Sequence, residues 1–280
     1  LRHHGGIVPA LQLEQAKVLT YSNGMKDESR LPPTPYADAF WTDGETRDNR
    51  WLITCDHATN RVPEWVGGGS LGIAPEDMAR HIAYDVGAAG VARHLGEAMG
   101  ATVIGSDFSR LVIDPNRGED DPTLLMRLYD GTVIPANRDA DAAERERRLT
   151  ALHRPYHAAI EALADTRPDR AICAIHSFTP QLRGRMARPW EVAVLYSLDD
   201  QILSPLLIER CRSHGWVTGD NQPYIGHLAG DSIDRHALSK GRPNVLIEVR
   251  NDLIRDDAGQ KLWAGRLAMV LDGLLEEAGL

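Results

Sequence analysis

Cysteine is scarce in this chain. The three cysteines, Cys55, Cys173 and Cys211, are too few and too scattered for a disulfide framework, and no C-x-x-C pair occurs. That excludes a small disulfide-stapled scaffold and makes a reducing, cytoplasmic compartment the expectation. Long apolar runs are missing as well: none approaches the roughly 20 residues of a membrane span, and the start has no signal-peptide core. Positive charge is in deficit, with 31 Lys and Arg against 40 Asp and Glu, a formal net charge of -9. A nucleic-acid partner, which needs clustered cations, is therefore not expected. A small anionic ligand is compatible with this balance if arginines concentrate locally. Two familiar signatures are absent. Gly67-Gly-Gly-Ser-Leu-Gly72 lacks the Lys-Ser/Thr of a phosphate loop and the spacing of a dinucleotide fingerprint. Ser177 has no G-x-S-x-G context for a nucleophilic serine.

What is present is ordinary globular material, 42% hydrophobic and 25% charged. At 280 residues it can bury a substantial core in one large α/β domain or two small ones. Residues 1–31 show little periodicity and lead into Leu31-Pro-Pro-Thr-Pro-Tyr36, so an irregular segment is expected there, one that need not be native. His3 and His4 are set aside with it. A single domain is expected over 32–280, its ordered body starting near Arg50, with Tyr36, Phe40 and Trp41 available to dock on it.

From there strands and helices alternate. Strands are expected at 50–55, 101–105, 111–114, 171–176, 191–196 and 244–248. Helices are expected from Pro75 to Met99, over 139–165, around 200–213 and from Gly259 to Ala278. This order predicts a three-layer α/β/α domain with a mostly parallel central sheet.

Three of the apolar runs end in chemistry. Trp51-Leu-Ile-Thr-Cys-Asp-His57 and Ala171-Ile-Cys-Ala-Ile-His176 each stop at a histidine, and Asn244-Val-Leu-Ile-Glu248 stops at a carboxylate. Ligands in open α/β sheets gather just beyond the carboxyl ends of strands. A catalytic zinc takes three protein ligands, commonly His with Asp or Glu, and leaves one position open. His57 and His176 supply two. The expected helix offers Asp85 as the third, with His81 one turn earlier as an alternative ligand or a supporting partner. Each histidine alone reads equally well as a satisfied buried imidazole, and Glu248 as a partner for Arg250. Cys55 is expected to be an inert buried thiol. The remaining histidines, His94, His153, His157, His214, His227 and His236, are expected mostly at the surface.

A third piece, Ser109-Arg-Leu-Val-Ile-Asp-Pro-Asn-Arg117, sets Arg110 and Arg117 at either end of an apolar stretch. The planar guanidinium binds carboxylates in a bidentate fashion, so both are candidate clamps for an anion. The competing reading pairs them with Glu119, Asp120 and Asp121. Arg183, Arg185 and Arg188 form a further basic group after His176, either at the same mouth or simply solvated.

These pieces, in this order, resemble the N-formylglutamate amidohydrolase family. The likeness rests on Cys55-Asp-His-Ala-Thr-Asn-Arg-Val-Pro63, His81-Ile-Ala-Tyr-Asp-Val-Gly87, the Ser109–Arg117 stretch, His176-Ser-Phe-Thr-Pro180 and Glu248-Val-Arg-Asn-Asp252, and spans about 32–280. It implies a phosphorylase/hydrolase-like fold and a Zn2+ (or other divalent) centre held by His57, Asp85 and His176, with Glu248 as base. Arg110, Asn116, Arg117 and Arg250 would bind a substrate carboxylate or the developing oxyanion. The implied reaction belongs to amino-acid degradation: an N-formyl amino acid, foremost N-formyl-L-glutamate, is cleaved to formate and the free amino acid. The rival readings are a zinc amidase for another N-acyl amino acid or peptide-like amide, and a non-catalytic protein binding an anionic metabolite.

Overall fold

Burial on both faces is what the apolar runs require, and a central sheet provides it. The computed structural model describes residues 39–200 and 202–280. The expected irregular segment 1–31 and Tyr36 lie outside the described residues. In chain order the elements are β1 (Phe40–Asp43), β2 (Trp51–Cys55), α1 (Pro75–Met78), α2 (Ala88–Met99), β3 (Thr102–Ser106), β4 (Leu128–Tyr129), β5 (Thr132–Val133), α3 (Pro135–Arg138), α4 (Ala142–Arg148) and α5 (Arg154–Ala164). There follow β6 (Ala171–Phe178), β7 (Val192–Leu195), α6 (Leu203–Ser213), β8 (Thr218–Asp220), α7 (Ser232–His236), β9 (Asn244–Arg250), α8 (Asp257–Leu271) and α9 (Leu274–Glu277).

Seven strands form the main sheet in the order β1-β3-β2-β6-β9-β7-β8. The central β3, β2, β6 and β9 are mutually parallel, while β1 joins β3 and β7 joins β9 antiparallel. Alternation along the strands sends Trp51, Ile53, Cys173, Ile175, Val245 and Ile247 to one face, against Val91 and Leu95 of α2, Leu207 of α6 and Trp263 and Leu267 of α8. Leu52, Ala174 and Leu246 face the other way, into clusters that include Tyr156 and Ile160 of α5 and Ile233 of α7. The result is a three-layer α/β/α domain with a mostly parallel sheet. Among the described residues no helix is long and apolar enough to cross a membrane.

The structure corrects several expected elements. The ordered body starts before Arg50, because Phe40 to Asp43 pair with Ser106 to Val103 as an edge strand. The expected helix from Pro75 to Met99 is two helices, with residues 79–87 in turns between them. Asp85 donates its backbone N–H to His57 O at 2.9 Å rather than to a helical carbonyl, and Gly87 takes φ 82° before α2 begins. Leu111 to Asp114 are not a strand. Their side chains are fully buried, but Val112 N–H bonds Ser109 O and Asp114 N–H bonds Leu124 O, so no ladder forms. The helical stretch over 139–165 runs through a π turn at Leu149–His153. Pro155 has no N–H for the usual bond four residues back, and Arg154 N–H reaches Leu149 O instead. The final helix breaks at Asp272-Gly273 into α8 and α9. Three histidines expected at the surface, His153, His157 and His236, are buried.

Candidate metal centre

Strand register sets the first part of the site. His176 on β6 stands beside Glu248 on β9, and register neighbours on adjacent strands carry their side chains to the same face. His57 lies two residues past the end of β2, the next strand over, and is buried like His176. The Asp85 turn is pinned between these strand ends. Its backbone bonds His57 O, and Ser177 Oγ donates to Val86 O at 2.9 Å. One donor atom each from His57, Asp85 and His176 gathers within 4.8 Å of the others.

The orientation of the donors is specific. Asp85 Oδ2 lies 2.8 Å from His176 Nδ1 and 3.3 Å from His57 Nδ1. A carboxylate oxygen shared by two imidazole nitrogens calls for positive charge between them, a proton or a cation. The electrostatics make the same demand. Burial opposes ionisation of Asp85, yet His57 and His176 hold its carboxyl well below the usual range. Burial likewise opposes charge on His176, but Asp56 and Asp85 raise it well above an ordinary imidazole. On the outer side, His57 Nε2 meets Asp114 Oδ1 at 2.8 Å and His176 Nε2 faces Asp56 Oδ2 at 3.4 Å. His57, giving its Nε2–H outward to Asp114, keeps its Nδ1 lone pair inward, the state a metal ligand needs, whereas His176 Nε2 and Asp56 Oδ2 make no hydrogen bond among the described residues. This donor set fits a divalent metal ion.

The outer carboxylates are held in turn. Arg110 donates to Asp114 Oδ2 from Nε (3.1 Å) and Nη2 (2.8 Å), and its Nη1 is 3.6 Å from Asp85 Oδ1. Asp56 Oδ1 accepts from Tyr156 of α5 at 2.8 Å and from Ser232 of α7 at 2.9 Å. The local sequence flags Asp56, beside His57, and Asp114, four residues after Arg110, only weakly. Tyr156 and Ser232 carry no local signal, since each arrives from a distant helix.

Glu248 completes the centre. It is buried, and its Oε2 has no hydrogen-bond partner among the described residues. Burial first, and the charge of Asp85 next, push its carboxyl up to about 7, against the pull of His176, His57 and Arg110. A carboxyl so poised can both take and give a proton near neutral pH.

The other expected residues divide. His81 stays outside the cluster, its Nε2 3.7 Å from Asp130 Oδ2. Asn116 follows the Asp114 support directly: its N–H bonds Asp114 Oδ1 and its Oδ1 accepts from Ser232 N–H, which leaves the amide NH2 as donor. Arg117 bonds Thr123 Oγ1 and the Asn116 carbonyl and holds no carboxylate. Arg250 donates to Asp252 Oδ1 at 2.7 Å and to Trp190 O, so its carboxylate partner is Asp252 and not the Glu248 read from the sequence. Cys55 is fully buried, and burial raises its thiol well above the usual range, which suits an inert core residue.

Converging imidazoles and a carboxylate, beside a second carboxyl poised near neutrality and all at strand ends of an α/β/α domain, define a hydrolase-type centre. Residues 49–255 match the family model of N-formylglutamate amidohydrolase, and the chain belongs to that family. The chain is similar to a gene product of Agrobacterium tumefaciens of known crystal structure, at 32% identity and a TM-score of 0.82, covering 87% of this chain and 97% of that one. It shares the fold of an N-formylglutamate amidohydrolase from Ralstonia eutropha JMP134, at 21% identity and a TM-score of 0.62, covering 86% and 97% of the two chains. No curated protein matches it.

Proposed function

We propose that this chain is a zinc-dependent amidohydrolase that cleaves the formyl amide of N-formyl-L-glutamate to formate and glutamate, with His57, Asp85 and His176 as metal ligands. The observation that carries the reading is the gathering of their donor atoms within 4.8 Å of one another, beside a Glu248 carboxyl raised to about 7. A divalent ion held by His57, Asp85 and His176 would supply Lewis acidity at this site. Glu248 takes the proton of the attacking water as its oxygen adds to the formyl carbon, then returns that proton to the nitrogen as the C–N bond breaks. Asp114 and Asp56 keep both imidazoles oriented, and Arg110 neutralises Asp114. Asn116 and Arg117, which have donors to spare, bind the α-carboxylate beside the scissile nitrogen. A cytoplasmic role in amino-acid degradation accords with three cysteines that are all free and buried.

Release of the free amino acid from a panel of N-formyl and N-acetyl amino acids, with chelator and with added zinc, tests the reading. Turnover of N-formyl-L-glutamate that chelator abolishes and zinc restores is expected. Hydrolysis of N-acetyl substrates alone would reassign the centre to another amidase, and chelator-insensitive turnover would remove the metal.

A further inference from the structure

N-formyl-L-glutamate is a dicarboxylate, so the proposed function needs a second anion receptor beyond Asn116 and Arg117. Of the arginines named for that work in the sequence, Arg110 is spent on Asp114 and Arg250 on Asp252. Arg188, on the segment after β6, is not spent. Its bonds go to neutral acceptors, from Nη1 to Thr179 O and from Nη2 to Tyr224 Oη, both at 3.0 Å. A guanidinium without a carboxylate keeps its bidentate fork for a ligand.

Its placement is built. The Arg188 N–H bonds Pro180 O at 2.8 Å, and the guanidinium carbon lies 5.8 Å from the Phe178 ring centroid and 4.8 Å from that of Tyr224. Phe178 is only two residues beyond His176 on the same strand. Thr179 and Pro180, which accept from the Arg188 side chain and backbone N–H, follow that strand directly, so the guanidinium is fixed to the chain that leads out from His176.

We propose that Arg188, buttressed by Tyr224, is the specificity-determining receptor for the side-chain carboxylate of the substrate. The assignment rests on the deformylase reading above and divides the substrate by distance. The α-carboxylate shares its carbon with the scissile nitrogen, and Asn116 is two residues from Asp114, which holds His57. The side-chain carboxylate lies farther from the reacting bond, and Arg188 follows the exposed stretch 183–187 beyond the end of the strand that carries His176. Binding at that distance is equal in ground and transition states, so its loss falls on KM rather than kcat.

The test compares Arg188→Met with wild type on N-formyl-L-glutamate and on N-formyl-L-norvaline, which carries a methyl in place of the side-chain carboxylate. The variant is expected to lose about 100-fold in kcat/KM on the glutamate substrate, the scale of a charge-assisted contact, mostly through KM. On the norvaline substrate it should match wild type, which also shows that the variant is folded, and Arg188→Lys should recover part of the loss. Equal losses on both substrates, or no loss on either, overturn the assignment while leaving the deformylase reading intact. If wild type releases formate from neither substrate, the deformylase reading falls and this assignment falls with it.

Discussion

Glu248 is the residue on which the proposed chemistry turns, and its surroundings predict its behaviour. A general base must be deprotonated to accept the proton of water, so activity is lost as pH falls through its pKa. Burial beside Asp85 places that carboxyl at about 7, and the charge of a bound cation moves it lower. The kcat/KM profile is therefore expected to fall on the acid side, from pH 7 or below, and to rise with slope one toward neutrality. Glu248→Gln should reduce kcat by about 100-fold or more, the usual scale of general acid–base catalysis, while binding metal as wild type does. Formate release with parallel metal analysis checks both. Wild-type turnover in Glu248→Gln would remove Glu248 from the mechanism, and lost metal would make it a ligand. The place of Glu248 at the end of an apolar run is legible in the sequence, while its pairing beside His176 comes from the register of β6 and β9. The supports are another matter. Nothing local distinguishes Tyr156 or Ser232 from other polar residues on helices, and only the packing of α5 and α7 brings both to Asp56.

At the scale of elements, the turn that carries Asp85 depends on one glycine. Gly87 sits at φ 82°, and a Cβ there would fall 2.1 Å from Ile254 O, a backbone atom that cannot swing aside. Gly100, at φ 61°, closes the same α2 with nothing within 4 Å of its would-be Cβ. The two glycines separate conformational strain from collision. Gly100→Ala is expected to cost about 1–2 kcal/mol, the left-handed penalty alone, and to keep metal binding. Gly87→Ala should cost more, at least about 3 kcal/mol, since a backbone shift is added, and should weaken metal binding by displacing Asp85. Urea unfolding and metal titration distinguish the two; equal costs with equal metal affinity would mean that the turn does not position Asp85. This turn also shows where sequence patterning stops. Pro75 to Met99 reads as one helix because Pro75-Glu76-Asp77 suits a helix start and Gly100 a helix end, and Gly87 alone is a weak break. The interruption comes from a tertiary bond, Asp85 N–H to His57 O, whose partner is 28 residues away and invisible to local periodicity. Leu111 to Asp114 fails for a related reason: an apolar run records burial, and burial under loops looks the same as burial in a sheet.

Across the whole molecule, the buried histidines outside the metal centre couple folding to pH. His236 Nδ1 lies 2.8 Å from Glu161 Oε2, and its Nε2 is 2.9 Å from His157 Nδ1. The neutral arrangement that satisfies both contacts has His236 donating to Glu161 and accepting from His157. His153 packs edge-on against His157 at 4.4 Å between centroids and bonds the Arg117 carbonyl, which joins this cluster to the Ser109–Arg117 segment. Burial depresses all three imidazoles: His157 furthest, with His153, Arg235 and His236 adding to it, and His236 less, because Glu161 opposes the shift. The neighbouring charges are Arg235, Glu161 and Asp56 near His236, with Glu119 and Asp114 near His153. For a base whose folded pKa lies below its unfolded value of about 6.5, the unfolded chain binds more protons between the two, so stability rises with pH there. The contribution is complete above about pH 6.5 and is lost as pH falls through the folded values, at up to about 1.4 kcal/mol per pH unit for each imidazole. His176, with its raised pKa, works in the opposite direction, but equally in wild type and in a variant at His157. Unfolding free energies of wild type and His157→Gln, measured from pH 8 to 5, should therefore converge as pH falls, with wild type losing the additional stability below about 6.5. Parallel curves would show that His157 is not held neutral by the fold.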